Sequence, residues 1–180
     1  MHPYSSNDTT PARSSADYIV EAAAGLVAAV AAFAWFYSRL SPDVAFGPWQ
    51  GLLMSPEPIR RLPILSDWIS GAVAPLLPGN PAWRLNVLTA VFAALACGAL
   101  TAATTRAARS VAGRVEAVAT GWAAGALLAS SPLLAYAATG ATPTTLTLLL
   151  GLTSVLALCL WMGSRGSFAW MLLSAAAAGL

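Results

Sequence analysis

A chain of 180 residues that is 58% hydrophobic and only 9% charged cannot clothe itself for water, since a soluble domain carries roughly 25% charged residues. The formal net charge of +2 is too small to hold nucleic acid. All the basic residues are arginine, a bias that a GC-rich genome produces without selection for function. The composition implies an all-α, polytopic helical membrane protein whose first partner is the lipid bilayer.

In chain order, residues 1–17 are rich in Ser, Thr, Asn and Pro and read as a disordered tail, with His2 too isolated for metal or catalytic work. A bilayer core of roughly 30 Å needs about 20 apolar residues as a helix, and residues 18–38 supply the first span. It ends in the bulky Trp35-Phe36-Tyr37, where a cleaved signal peptide would need small residues, so it reads as a retained anchor. Glu21, near the start of this span, is expected at the headgroup boundary with no special role.

Residues 39–80 form a long outer loop that carries Arg39, Asp43, Glu57, Arg60, Arg61 and Asp67, interleaved with Trp49 and Trp68. Ile64, Leu65, Trp68, Ile69, Ala72, Val73 and Leu76 recur at helical spacing, which predicts an amphipathic helix lying in the interface. Asp43 follows Ser41-Pro42. It has two readings: a helix start in which the acid favours the positive end of the dipole, or a general base at the outer interface. Arg60 and Arg61 could grip a lipid phosphate, or simply contact headgroups.

The second span covers residues 85–105, with its helix drawn back to Pro81 because Asn80-Pro81 pairs a capping side chain with a proline that has no donor to waste. Arg106, Arg109 and Arg114 crowd the next connection, which the positive-inside rule assigns to the cytoplasm. Alternation then makes the amino terminus and Arg165 cytoplasmic and the 39–84 loop and the turn near Gly140 external. The third span, 117–138, contains Pro132, predicted to kink it, with Ser130 and Ser131 available to the freed carbonyls. Gly121 and Gly125 make a GxxxG step, read as a packing surface. The fourth span, 143–162, starts at Thr142-Pro143. Residues 168–180 are apolar but too short to cross, so a fifth span and further sequence are expected beyond them. Cys97 and Cys159 lie in apolar runs and read as small hydrophobes. No zinc spacing, nucleophile triad or nucleotide-binding glycine loop is evident, and no cofactor motif.

Three stretches, taken in order, resemble the amino-terminal portion of a bacterial multi-span membrane protein family related to protein O-mannosyltransferases, in the GT-C superfamily of glycosyltransferases. Gly79-Asn80-Pro81-Ala82-Trp83-Arg84-Leu85-Asn86, running into residues 87–95, is similar to that family's junction of outer loop and second span. Ser131-Pro132-Leu133-Leu134 and the run from Thr142 resemble its next paired spans, and residues 167–180 the start of a fifth. The family's acidic Asp-Ser-Gly-Glu motif corresponds here to Asp43-Val44-Ala45-Phe46, its His-Pro-Pro-Gly stretch is not reproduced near Glu57, and a usual Glu and Tyr are Thr142 and Thr144.

The resemblance implies transfer of a sugar from a polyprenyl-phosphate carrier to an acceptor hydroxyl outside the cytoplasm, at a bacterial inner membrane. It implies Asp43 as the base or acceptor-positioning group, and Arg60 or Arg61 as ligands of the carrier phosphate. The lost acid leaves two versions open: a divergent transferase, or a non-catalytic membrane scaffold or assembly subunit. A coupled transporter is disfavoured by the scarcity of ionisable residues in the spans.

Overall fold

The computed structural model describes residues 15–40, 71–73, 76–139, 144–163 and Ala176. Five helices run through them: α1 (Ser15–Tyr37), α2 (Pro81–Ala108), α3 (Arg114–Ala129), α4 (Pro132–Thr139) and α5 (Thr144–Gly163). No strand occurs among the described residues. α1, α2 and α5 are each long and apolar enough to cross a membrane, which makes the chain a helical membrane protein, as its composition requires.

α1 turns small residues inward and large ones outward. Ala24, Gly25, Ala28, Ala29, Ala32 and Phe36 are buried at steps of three and four that share one helix face, while Ile19, Leu26, Val27 and Val30 are exposed. In lipid, burying Leu rather than Ala gains no solvent entropy, so close backbone approach selects the interface. The helix also begins earlier than the span expected from residue 18, at Ser15. The supposed tail therefore does not reach Asp17, which lies in the first turn, where a carboxylate favours the positive end of the dipole.

α2 is the centre of the bundle and packs on all four other helices. Two-thirds (67%) of its apolar window is buried, against 39% for α1 and 17% for α5. Its start is as the sequence indicates: Asn80 Oδ1 accepts the Trp83 backbone N–H at 2.7 Å. Pro81 opens the helix. Gly79 adopts φ +107° just before it, where a side chain would be strained.

α1 and α2 run antiparallel. Asp17 meets Arg109 and Glu21 meets Arg106 at one end, Gly25 faces Gly98 in the middle, and the Tyr37 and Trp83 rings meet edge to face at the other, with centroids 6.3 Å apart. At the crossing, a Cβ on Gly98 would lie 2.6 Å from the Gly25 carbonyl oxygen, and one on Gly25 would lie 2.9 Å from that of Gly98. Both obstacles are backbone and cannot rotate away.

The third apolar segment does not form one straight helix. α3 and α4 are bent by 63° at Ser130-Ser131, directly before Pro132, whose ring and missing N–H forbid the continuing ladder. Ser130 Oγ donates to the Leu127 carbonyl at 3.0 Å, one of the groups freed there, and the Ser131 carbonyl accepts from the Ala135 N–H at 2.9 Å. Gly121 and Gly125 are buried against α2. A Cβ on Gly121 would collide with Thr105 Oγ1 and come within 2.6 Å of the Thr101 carbonyl, and one on Gly125 would collide with Thr101 Oγ1. The GxxxG step is thus a packing surface, as read.

Most of the expected interfacial helix (residues 64–76), the turn at 140–143 and the incomplete fifth span lie outside the described residues, although 71–73 and Ala176 are helical. The α1/α2 crossing yields a direct test. Gly98→Leu is expected to destabilise the bundle by about 1–3 kcal/mol or more through overpacking against backbone, read as loss of folded fraction in a detergent denaturation series. Gly151→Leu, where a Cβ meets nothing within 4 Å, should leave the described bundle's stability near wild type.

Candidate functional site

Asp43, Arg60 and Arg61, the residues that the sequence singles out for chemistry, lie outside the described residues. The polar machinery that the structure does define gathers at the end of the α1–α2 pair where α1 begins, α2 ends and α3 begins. Two carboxylates, Asp17 and Glu21, meet three guanidiniums, Arg106, Arg109 and Arg114.

Arg106 is the innermost of these. It lies in the last turn of α2, where a cation complements the helix's negative end, and it is only 2% exposed. Its Nη1 donates to Glu21 Oε2 at 2.8 Å, its Nε donates to the Cys159 backbone carbonyl at 2.9 Å, and its guanidinium carbon lies 5.0 Å from the centroid of the Tyr18 ring. One side chain thus ties α1, α2 and α5 together.

Glu21 is 5% exposed and six residues into α1, about 9 Å along its axis at 1.5 Å per residue. It is not an idle headgroup contact, and Arg106 is not a loop arginine. Each neutralises a partner whose isolated burial would cost several kcal/mol.

Around this pair sits a more exposed ring. Arg109 Nη2 donates to Asp17 Oδ1 at 2.8 Å and Arg114 Nη2 donates to the same oxygen at 3.2 Å. The Arg114 side chain is 51% exposed, so its share of the attraction is small. Glu116, in the first turn of α3, accepts the Gly113 backbone N–H at 3.1 Å and so caps the start of that helix. Glu21 Oε1, Arg106 Nη2 and Arg109 Nη1 are buried and hydrogen-bond to nothing among the described residues.

A second line of polar groups climbs α2. Asn86 and Thr101 are fully buried; Thr101 Oγ1 donates to the Cys97 carbonyl at 2.9 Å, and Thr89 Oγ1 reaches the Ala138 carbonyl of α4 at 3.0 Å. Thr145 of α5 is 1% exposed. Of these, Thr89 fastens one helix to another, whereas the Thr101 hydroxyl shares a carbonyl of its own helix. Composition alone misses them; their signal is a polar residue at each of positions 86, 89, 101 and 105 within one apolar span.

Beyond the far end of α1, Arg39 stacks on Trp35, with its guanidinium carbon 3.8 Å from the ring centroid. Cys97 is buried in the core with Ala93, Ala94 and Leu134, as a small hydrophobe. Among the described residues, no three His, Cys, Asp or Glu side chains gather closely enough to hold a metal ion.

Comparison with protein-family models, with curated proteins and with solved structures gives no match.

The cluster's geometry sets an experiment. Glu21→Gln or Arg106→Ala leaves a buried partner uncompensated and is expected to destabilise the bundle by about 3–5 kcal/mol, measured by denaturant titration in detergent. The exchange Glu21→Arg with Arg106→Glu should not restore stability, because a glutamate at 106 cannot donate to the Cys159 carbonyl. Full recovery in the swapped protein would mean that charge alone, and not the three-helix tie, carries the effect.

Proposed function

We propose that this chain is the amino-terminal membrane part of a GT-C-type glycosyltransferase, which moves a sugar from a polyprenyl-phosphate carrier to an acceptor hydroxyl on the extracytoplasmic side of a bacterial inner membrane. The observation that supports this reading is the antiparallel register of α1 and α2. Tyr37 and Trp83 meet at the end away from the arginine cluster. The connection from residue 41 to residue 78, which holds Asp43, Arg60 and Arg61, is therefore tethered at both ends on that far side.

With the arginine-rich end in the cytoplasm, that tether belongs to the outer face, where lipid-linked sugars would be used. The α3–α4 pair then counts as one bent span, α5 as the fourth, and residues 168–180 as the start of a fifth. In this reading Asp43 takes the proton from the acceptor hydroxyl or orients it, and Arg60 or Arg61 binds the carrier phosphate, for which a guanidinium fork is suited. The sequence from Gly79 to Leu95 carries the family resemblance most specifically.

A scaffold or assembly role is the second reading. It is favoured by one observation: the buried charges among the described residues join helix to helix, with Arg106 and Glu21 facing each other. Asp43→Asn in the protein as its gene encodes it separates the two. The transferase reading expects transfer from a polyprenyl-linked donor to fall by roughly 100-fold or more, as for loss of a general base, with the protein still folded. The scaffold reading expects no change from Asp43→Asn and a membrane partner that co-purifies. Labelling of a cysteine at position 43 from the cytoplasmic side alone would sink the transferase reading.

A further inference from the structure

We infer that the groove between α1 and α3 binds one chain of an anionic phospholipid, whose phosphate is held by Arg39 in the leaflet on the Tyr37 and Trp83 side. The groove has a volume of about 220 Å³. Ala28 and Ala32 of α1 and Gly125 and Ala129 of α3 line it, and the large residues against it are Trp35 and Trp122. Both helices are drawn onto α2 by glycine, α1 at Gly25 and α3 at Gly121 and Gly125. The groove is the seam between two helices that share one neighbour.

Arg39 makes this seam more than a lipid-facing crease. It lies in the turn that ends α1, where its backbone N–H donates to the Phe36 carbonyl at 2.9 Å. Its guanidinium carbon is 3.8 Å from the ring centroid of Trp35, a residue of the groove wall. Stacking engages the face of a guanidinium and leaves the N–H donors in its plane available, the fork that grips phosphate. Among the described residues no carboxylate pairs with Arg39: Asp17 and Glu21 are taken by arginines at the other end of α1. A cation at the mouth of an apolar groove follows the order of a lipid, phosphate first and hydrocarbon below.

Dimensions and charge select the occupant. From Ala28 to Trp35 the groove follows α1 for seven residues, about 10 Å at 1.5 Å per residue, which keeps it within one leaflet of a core roughly 30 Å thick. A helix is about 10–12 Å across with its side chains, too wide for so small a volume over that length, whereas a single hydrocarbon chain is narrow enough. A zwitterionic headgroup carries its own cation, so the headgroup that complements Arg39 is one with net negative charge. Trp35 sits where an indole favours the headgroup level. This site uses none of Asp43, Arg60 and Arg61 and stands apart from the transferase reading.

The experiment is native mass spectrometry of the 180-residue chain released from detergent micelles. The protein is titrated with phosphatidylglycerol, with phosphatidylcholine of the same acyl chains, and with a polyprenyl phosphate. The first phosphatidylglycerol is expected to bind several-fold more tightly than phosphatidylcholine, and Arg39→Gln to erase that difference by weakening phosphatidylglycerol alone. Ala126→Phe, and Ala31→Phe from the α1 side, place a ring in the groove and should weaken both phospholipids several-fold. Leu127→Phe, 73% exposed and outside the groove, should weaken neither, and Arg114→Gln, in the cluster at the other end, should leave the preference intact. All five positions are exposed, so the variants should keep the helical content of the wild type by circular dichroism.

Equal binding of the two phospholipids to the wild type would overturn the proposal. So would a preference lost in Arg114→Gln and kept in Arg39→Gln, or groove-filling variants that bind both phospholipids like the wild type. Arg39-dependent binding that is tighter for the polyprenyl phosphate than for phosphatidylglycerol would assign the groove to that lipid and overturn it as well.

Discussion

The bundle depends on one buried guanidinium. Arg106 is held by the Glu21 carboxylate of α1 and the Cys159 carbonyl of α5 and lies near the Tyr18 ring, so the register of α1 on α2 and the position of the end of α5 are fixed by the same side chain. A charge removed from water and held in a span is tolerable only while its partners stay in place. Sliding α1 by one residue would rotate Glu21 about 100° around the helix and break the pair. The pair thus contributes less as net attraction than as a penalty on every other arrangement, which is how a buried ionic contact enforces a register.

Away from that end, the arrangement is governed by size. Lipid offers no hydrophobic incentive for Leu to leave the tails, so the helices meet where side chains are absent or short: Gly25 against Gly98, Gly121 against Thr105, Gly125 against Thr101. Backbone proximity brings carbonyls within reach of hydroxyls. Thr89 uses this to join α2 to α4 through the Ala138 carbonyl. The bend before α4 belongs to the same economy: Pro132 breaks the ladder, Ser130 satisfies a freed carbonyl, and the short α4 leans back onto α2 with Leu134 and Ala138 buried.

What the sequence disclosed follows from which signals are local. Hydropathy placed α1, α2 and α5 because twenty apolar residues in a row have few alternatives. Asn80-Pro81 marked the start of α2 and Pro132 the break of the third segment, because caps and prolines act on their immediate neighbours. The GxxxG step likewise announced its own face. The Glu21–Arg106 pair was hidden, because its members are 85 positions apart and each, read alone, looks like the polar fringe of a span. Their complementarity shows only when α1 and α2 are set antiparallel and both fall at a similar depth from the same end. The same reasoning moves Asp17 from an unstructured tail into a helix: a lone acid there seems dispensable until Arg109 and Arg114 arrive beside it. For Asp43, Arg60 and Arg61 no such pairing can be argued, since they lie beyond the described helices and their local spacing supplies no partner.

The distribution of charge along the described spans constrains mechanism. Among the described residues the buried charged side chains, Glu21 and Arg106, lie at the end where α1 begins, and at the level of the Gly25/Gly98 crossing the interior offers glycine, alanine, threonine and the Cys97 thiol. A proton- or ion-coupled carrier needs titratable or charged groups near the midplane, where the moving ion would otherwise pay the full cost of desolvation. A protein whose reacting groups stand at an interface needs none there; it needs a rigid frame to hold them against the membrane surface. A bundle locked at one end by Arg106 and in its middle by opposed glycines suits that second requirement. It can hold the two ends of a long connection close together at its other end, where Tyr37 and Trp83 meet, with no charged side chain at its centre among the described residues.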